Sequence, residues 1–184
     1  MTRLAPVLHV GDLPLAELCA ARLDGELVAV DECYSPVDEP VSCNHRAQAL
    51  ARFGPQRLIA EQRTAAWIWG ASLDPPAKHQ WCASTNARAR PPVPSRGSVR
   101  EVVIDPDEIV SLGRVRVTTP LRTAVDLARF SPRFTEPEQS VVEALVALFA
   151  LSGAECRAAL ERRRNLPNKN LAVARLDRCR LPAV

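Results

Sequence analysis

The chain is poor in the residues from which reactive centres are built. Of its 184 residues only seven are glycine, three are histidine, and two, Lys78 and Lys169, are lysine. Seven scattered glycines leave little scope for a loop that cradles phosphate, and no Walker, G-x-G-x-x-G or G-x-S-x-G pattern occurs. A metal-dependent nuclease needs an acid and, two residues later on a strand, a lysine. Neither lysine stands in that position, so a nuclease-like enzyme is only a distant alternative. His9, His45 and His79 stand singly, and the six cysteines (Cys19, Cys33, Cys43, Cys82, Cys156, Cys179) include no C-x-x-C pair. A metal site needs closely spaced ligands, so none is expected, and the cysteines read as free thiols buried like small hydrophobes. No enzymatic activity and no cofactor are expected.

Long apolar runs are also missing. The longest, around Val141 to Leu151, is broken by Glu143 and is too short to cross a bilayer. The first residues lack the basic start and apolar core of a secretory signal. A cytoplasmic protein is the expectation.

What is present is a globular composition with an uneven charge. Hydrophobic residues make up 47% of the chain, enough for a real core in one domain or two small ones. Up to Asn44, two bases face eight acids; from His45 to Arg100, nine bases face only Glu61 and Asp74. Such asymmetry suits either a nucleic-acid surface on the middle segment or two segments packed on each other.

The pattern predicts a helix from about Leu13 to Leu23, with Asp12 as cap and Pro14 in its first turn. A strand through Glu26–Val30 and a turn into a second strand or loop follow. Helix, turn, strand, turn is the order of the last helix and wing of a winged helix-turn-helix. Further helices are expected from Ser42 to Phe53 and from Thr64 to Trp69, the latter closed by Gly70. Trp67 and Trp69 lie two apart on that helix, so both can be buried only if it is covered on two faces. His79–Ser84, Val99–Asp105 and Val115–Thr118 read as strands, with a helical turn at Pro106–Val110. Asn86–Ser98 reads as a proline-rich loop exposing guanidinium groups. Helices are then expected from Thr119 to Phe130, Glu136 to Ser152, Ala154 to Arg164 and Asn170 to Arg180.

The most informative segment is Val117-Thr118-Thr119-Pro120-Leu121-Arg122-Thr123-Ala124-Val125-Asp126-Leu127-Ala128-Arg129. Thr119 caps the helix and Pro120 fits its first position. Arg122 and Asp126 lie four apart and Asp126 and Arg129 three apart, so all three can pair along one face. An adjacent arginine favours a charged carboxylate, which suits an ion-pair ladder better than proton transfer.

This segment resembles a signature of actinobacterial AbiEi-type antitoxin domains. Thr64-Ala65-Ala66-Trp67-Ile68-Trp69-Gly70 is similar to a second helix of that family, and Ile104-Asp105-Pro106-Asp107-Glu108-Ile109-Val110 fits the expected order between them. The likeness extends over roughly Leu15 to Leu148. It implies a winged-helix head joined to a small α/β domain, in an autorepressor that binds its own promoter DNA and antagonises a nucleotidyltransferase toxin.

The expected fold is therefore mixed α/β. Residues 1–40 form an abbreviated winged-helix-like head, 41–152 an α/β domain with a small mixed sheet covered by helices, and 153–184 basic C-terminal helices. The head is acidic: its helix offers only Arg22 against Glu17. Candidate DNA contacts are accordingly Arg88, Arg90, Arg96 and Arg100 in the loop, and Arg157, Arg162, Arg163, Arg164, Lys169 and Arg175 in the tail. Phosphate contacts of this kind give a steep salt dependence. Thr64, Trp67, Trp69, Gly70, Thr119, Pro120, Arg122, Asp126 and Arg129 are expected to hold the scaffold. The acidic head leaves room for a second function, a module that binds a toxin or another protein without DNA.

Overall fold

A computed structural model of the protein describes residues 5–52, 57–85 and 96–182. The chain opens with helix α1 (Leu15–Leu23) and an antiparallel hairpin of β1 (Leu27–Val30) and β2 (Cys33–Pro36). Leu8 adds a bridge to Tyr34 at the edge of the hairpin. The helix and hairpin follow the order of a last helix and wing. Only Leu18 of α1 is fully buried, packed with Leu8, Leu27 and Tyr34. Asp12 does not cap this helix. Its carboxylate accepts from the backbone of His9 in a preceding turn, and Pro14 stands at the cap position, with no side chain to accept a bond.

Helix α2 (Cys43–Ala51) starts where a hydroxyl can close its first turn. Ser42 accepts from His45 N, and the His45 ring accepts from Ser42 N. Strand β3 (Ile59–Ala60) leads into α3 (Gln62–Ile68), followed by β4 (His79–Ser84), β5 (Gly97–Val102), a 3-10 turn at Pro106–Glu108, β6 (Ile109–Leu112) and β7 (Val115–Thr118). The last five strands form one mixed sheet in the order β5-β4-β3-β7-β6. Two of them depart from the pattern expected of the sequence. The residues of β3 are too few to show a strand's alternation, and the turn at Pro106 stops at Glu108, so that Ile109 and Val110 pair with β7 instead of staying helical.

Helices α4 (Pro120–Phe130), α5 (Glu136–Leu148), α6 (Gly153–Glu161) and α7 (Lys169–Leu176) complete the chain. Each of the first three is opened by a hydroxyl. Thr119 accepts from Arg122 N, while Thr135 with Glu138 and Ser152 with Glu155 form capping boxes. Helices α5 and α7 end earlier than their composition suggests. Ala150, just past α5, has a positive φ of 49°, and α7 is bounded by Asn168 at φ 60° and by a turn at Asp177.

Alternation along the strands divides the core. Leu58, Ala60, Trp81, Ala83, Val115 and Val117 join Ala65, Trp67 and Ile68 of α3 and Ala47, Ala49 and Leu50 of α2. Val7, Val30 and Cys33 belong to this same cluster, which fixes the hairpin to the sheet. Ile59, Cys82, Val102 and Ile104 point to the other face. A second large cluster joins Ala66 of α3 to α4, α5, α6 and α7. Helix α3 is thus covered on two sides, as the spacing of its tryptophans requires. Trp67 is buried in the first cluster, and Trp69 touches both while its indole N–H donates to Thr118 O at 2.8 Å. Among the described residues no helix is long and apolar enough to cross a membrane.

All six cysteines are free. Cys33, Cys82 and Cys156 are buried as expected, Cys43 and Cys179 half-buried, and Cys19 is exposed on α1.

Candidate functional site

Helix α4 carries an unusual load of buried charge. Every residue from Arg122 to Arg129 is buried, including Arg122, Asp126 and Arg129. Isolated charges in such a place are costly, so each must find an opposite partner. Asp126 is the hub. Its Oδ2 accepts from Arg122 Nε at 2.9 Å and from Arg100 Nη2 at 2.9 Å, and its Oδ1 from Arg129 Nη1 at 2.8 Å. The i,i+4 and i,i+3 pairs are local products of helical geometry. Arg100 comes from β5, on the far side of the sheet order from β7, and no local spacing announces it.

From this hub the network runs both ways. Arg100 forms a bidentate pair with Glu61, both bonds at 2.6 Å, and Glu61 is 1% exposed. Registration of Arg100 beside Cys82 in the parallel β4–β5 pair puts both on one face, where Glu61 also points. In the other direction Arg122 Nη1 donates to Glu108 at 2.7 Å, and Glu108 accepts from Arg163 Nη2 at 2.9 Å. Arg163 also reaches Asp105 at 2.6 Å and Val103 O at 2.8 Å. Alternating carboxylates and guanidiniums therefore link β3, β5, the 3-10 turn, α4 and the end of α6. Phe130 lies under the guanidiniums of Arg100 and Arg129, at 4.0 and 4.4 Å from the ring centroid.

The electrostatics follow from these contacts. Burial opposes the charge of Arg100, but the hydrogen bonds and charge of Glu61, with Asp126, outweigh it and raise its pKa. Burial likewise opposes the charge of Arg122, and Asp126 and Glu108 raise its pKa in spite of it. Arg129 is lowered, because burial outweighs its pairing with Asp126. Burial, then the charge of Glu61, drives the Cys82 thiol far upward, so it is no nucleophile. Each carboxylate and guanidinium of the cluster thus has an opposite partner. Among the described residues no group of three His, Cys, Asp or Glu side chains can hold a metal ion.

The candidate DNA contacts separate into distinct environments. Arg88 and Arg90 lie outside the described residues. Arg96 pairs with Glu32 on the hairpin and approaches Asp31. Arg100, read as part of an exposed loop, instead stands on β5 with its guanidinium turned inward. Arg175 is buried too: its Nη1 donates to Ala128 O at 2.9 Å and its guanidinium covers Phe134. Arg163 is drawn onto the 3-10 turn. Arg157 pairs with Asp177 at the surface, and Arg162 stands 3.6 Å from Asp107, both pairs well exposed. Arg164 is exposed and has no ion pair among the described residues, and Lys169 is half-buried at the start of α7.

The scaffold residues act through backbone as well as side chain. Thr64 Oγ1 accepts from Gln80 N at 2.8 Å and contacts His79 Nδ1, which suits the tautomer that turns Nε2–H toward Asp31, 3.1 Å away. That bond joins the hairpin turn to β4. Gly70 takes a positive φ of 87° just past α3, a conformation that favours glycine. There the Arg46 guanidinium donates to Trp67 O and to Ser72 O. Sequence reasoning found the local α4 pairs but missed Glu61, Glu108, Arg46 and the His79–Asp31 bond. These partners are distant in the chain and carry no spacing signal.

Residues 58–175, from β3 into α7, match the model of the AbiEi antitoxin C-terminal domain. No curated protein matches the chain. Among solved structures it is similar to the RV2827C protein from Mycobacterium tuberculosis, with 17% identity and a TM-score of 0.48 over 94% of this chain and 72% of that one.

Proposed function

Because the chain belongs to the AbiEi antitoxin C-terminal domain family, we infer that it is a cytoplasmic antitoxin that works by binding: it antagonises a nucleotidyltransferase toxin and represses transcription at its own promoter. The observation that carries this function is the fate of the buried charges. Glu61 and Asp126 are both held by guanidiniums, and the buried Cys82 thiol is driven far upward, so the interior is built for cohesion and not for chemistry. Binding to phosphate falls to the exposed arginines. Arg157, Arg162 and Arg164 stand at the surface of α6 and its end, and Lys169 opens α7. Such groups exchange weak surface pairs for phosphates at little cost.

The test is a mobility shift on the promoter fragment with Arg162→Ala/Arg164→Ala, leaving the structural Arg163 in place. Salt-sensitive binding that the double variant weakens supports the assignment; unchanged binding removes the tail from it. Rescue of growth when the chain is produced together with a nucleotidyltransferase toxin from the same host tests antitoxin action independently.

One observation favours a second function, a protein contact through the head. Leu15, Ala16, Cys19, Ala20 and Leu23 are all exposed on α1 and fall on one continuous arc of the helix, with Asp12, Glu17 and Asp24 around them. Stoichiometric co-purification with the toxin, lost in Leu15→Ser/Leu23→Ser, would establish it.

A further inference from the structure

A groove beside α3 belongs neither to the ion-pair network nor to the basic tail. It consists of two adjoining cavities, of about 490 and 250 Å³, that share Arg63 and Gln80. Lys78 and Asp74 line the larger, and Arg133 and Gln62 line the smaller. Together they fall in the size range of small-molecule sites.

The groove is rich in donors that the chain does not use. Arg63 gives Nη1 to Glu138 at 3.0 Å, and the rest of its guanidinium has no partner among the described residues. Lys78 and Arg133 are exposed and make no ion pair among the described residues. Gln80 accepts from Arg63 N through Oε1 at 2.9 Å, which fixes the amide and leaves its NH2 group as a spare donor. Glu138 also lines the smaller cavity, but its carboxylate is satisfied by Thr135 N, Thr135 Oγ1 and Arg63. The backbone adds a separate sign: Gln62, a buried residue lining the smaller cavity, holds a positive φ of 48°, a strained conformation for a side chain of its size.

We propose that this groove binds a nucleoside phosphate, with the phosphate between Arg63 and Arg133 in the smaller cavity and the base in the larger. Two guanidiniums provide the planar forks that phosphate oxygens favour. Gln80, shared by both cavities, can donate through its amide, and Asp74 in the larger one can accept, a pair suited to the edge of an adenine. Lys78 adds a cation to the larger cavity. The site is independent of the antitoxin assignment and of the tail arginines.

The experiment titrates AMP, and separately inorganic phosphate, into the intact chain by calorimetry, with amide NMR shifts recorded in parallel. Saturable AMP binding is expected, with shifts confined to Arg63, Ser72, Asp74, Lys78, Gln80 and Arg133. Arg133→Gln and Arg63→Gln each weaken it at least tenfold, and Arg164→Ala leaves it unchanged. Absence of saturable AMP binding overturns the proposal, as does binding that depends on Arg164 but not on Arg133. Inorganic phosphate binding as tightly as AMP overturns recognition of the nucleoside. Since Arg133 is exposed, its variant keeps the fold, and a native NMR spectrum verifies this.

Discussion

Replacing Asp126 with asparagine keeps the shape of the side chain and removes its charge. In the native protein this carboxylate, 1% exposed, accepts from three guanidiniums at 2.8–2.9 Å. Asparagine still accepts through its oxygen, but its NH2 group faces an arginine, and the positive charges of Arg100, Arg122 and Arg129 lose their common counter-ion. Breaking a buried pair costs about 3–5 kcal/mol. Glu61 and Glu108 still hold Arg100 and Arg122, which puts the expected loss near the lower end, about 3 kcal/mol. For a chain of this size that lowers Tm by about 6–12 °C. Urea unfolding followed by circular dichroism gives the free energy, and a cycle with Arg122→Met isolates the coupling. A loss below about 1 kcal/mol, or no coupling, would refute the view that this network holds α4 to the sheet.

Three further outcomes are expected. Glu138 is lowered in pKa, first by the Thr135 hydroxyl that closes the α5 cap, so its stabilisation is complete at neutral pH and is lost as pH falls through the acid range; Glu138→Gln should flatten that part of a stability–pH curve measured by thermal unfolding. At pH 8 a thiol reagent should label Cys19 first, while Cys33 and Cys156, both raised by burial to about 11, stay protected until the chain unfolds, as mass spectrometry would show. Leu18→Ala removes the single fully buried anchor of α1, at a cost of about 2–5 kcal/mol, and hydrogen exchange should speed up in α1 and the hairpin but not in β4 or α4.

Much of this molecule is written locally. Thr119-Pro120 marks the start of α4, and the spacing of Arg122, Asp126 and Arg129 gives two of the three bonds at the hub. The bounds of β4 and β7 follow their sequence patterns, and the tryptophans of α3 foretell two covered faces. Strand β3 was not legible, because a strand of Ile59 and Ala60 gains its identity from its neighbours β4 and β7. The arginines were the harder case. As residue types Arg100, Arg163 and Arg175 are indistinguishable from Arg164, yet the first three turn toward carboxylates or carbonyls of other elements, while Arg164 stays at the surface with no ion pair among the described residues.

The sequence by itself determined where the helices lie, the Thr119 cap of α4, the alternation of the longer strands, the lack of catalytic motifs and the family signature, since each depends on residues within a few positions of one another. Tertiary structure alone decided which guanidiniums are structural and which are available, that Glu61 and Arg100 extend the α4 ladder into the sheet, and that Arg63, Lys78 and Arg133 share a groove. An ion pair between distant segments depends on where the sheet brings them, and that register is set by packing of the whole chain, which no short stretch of sequence encodes.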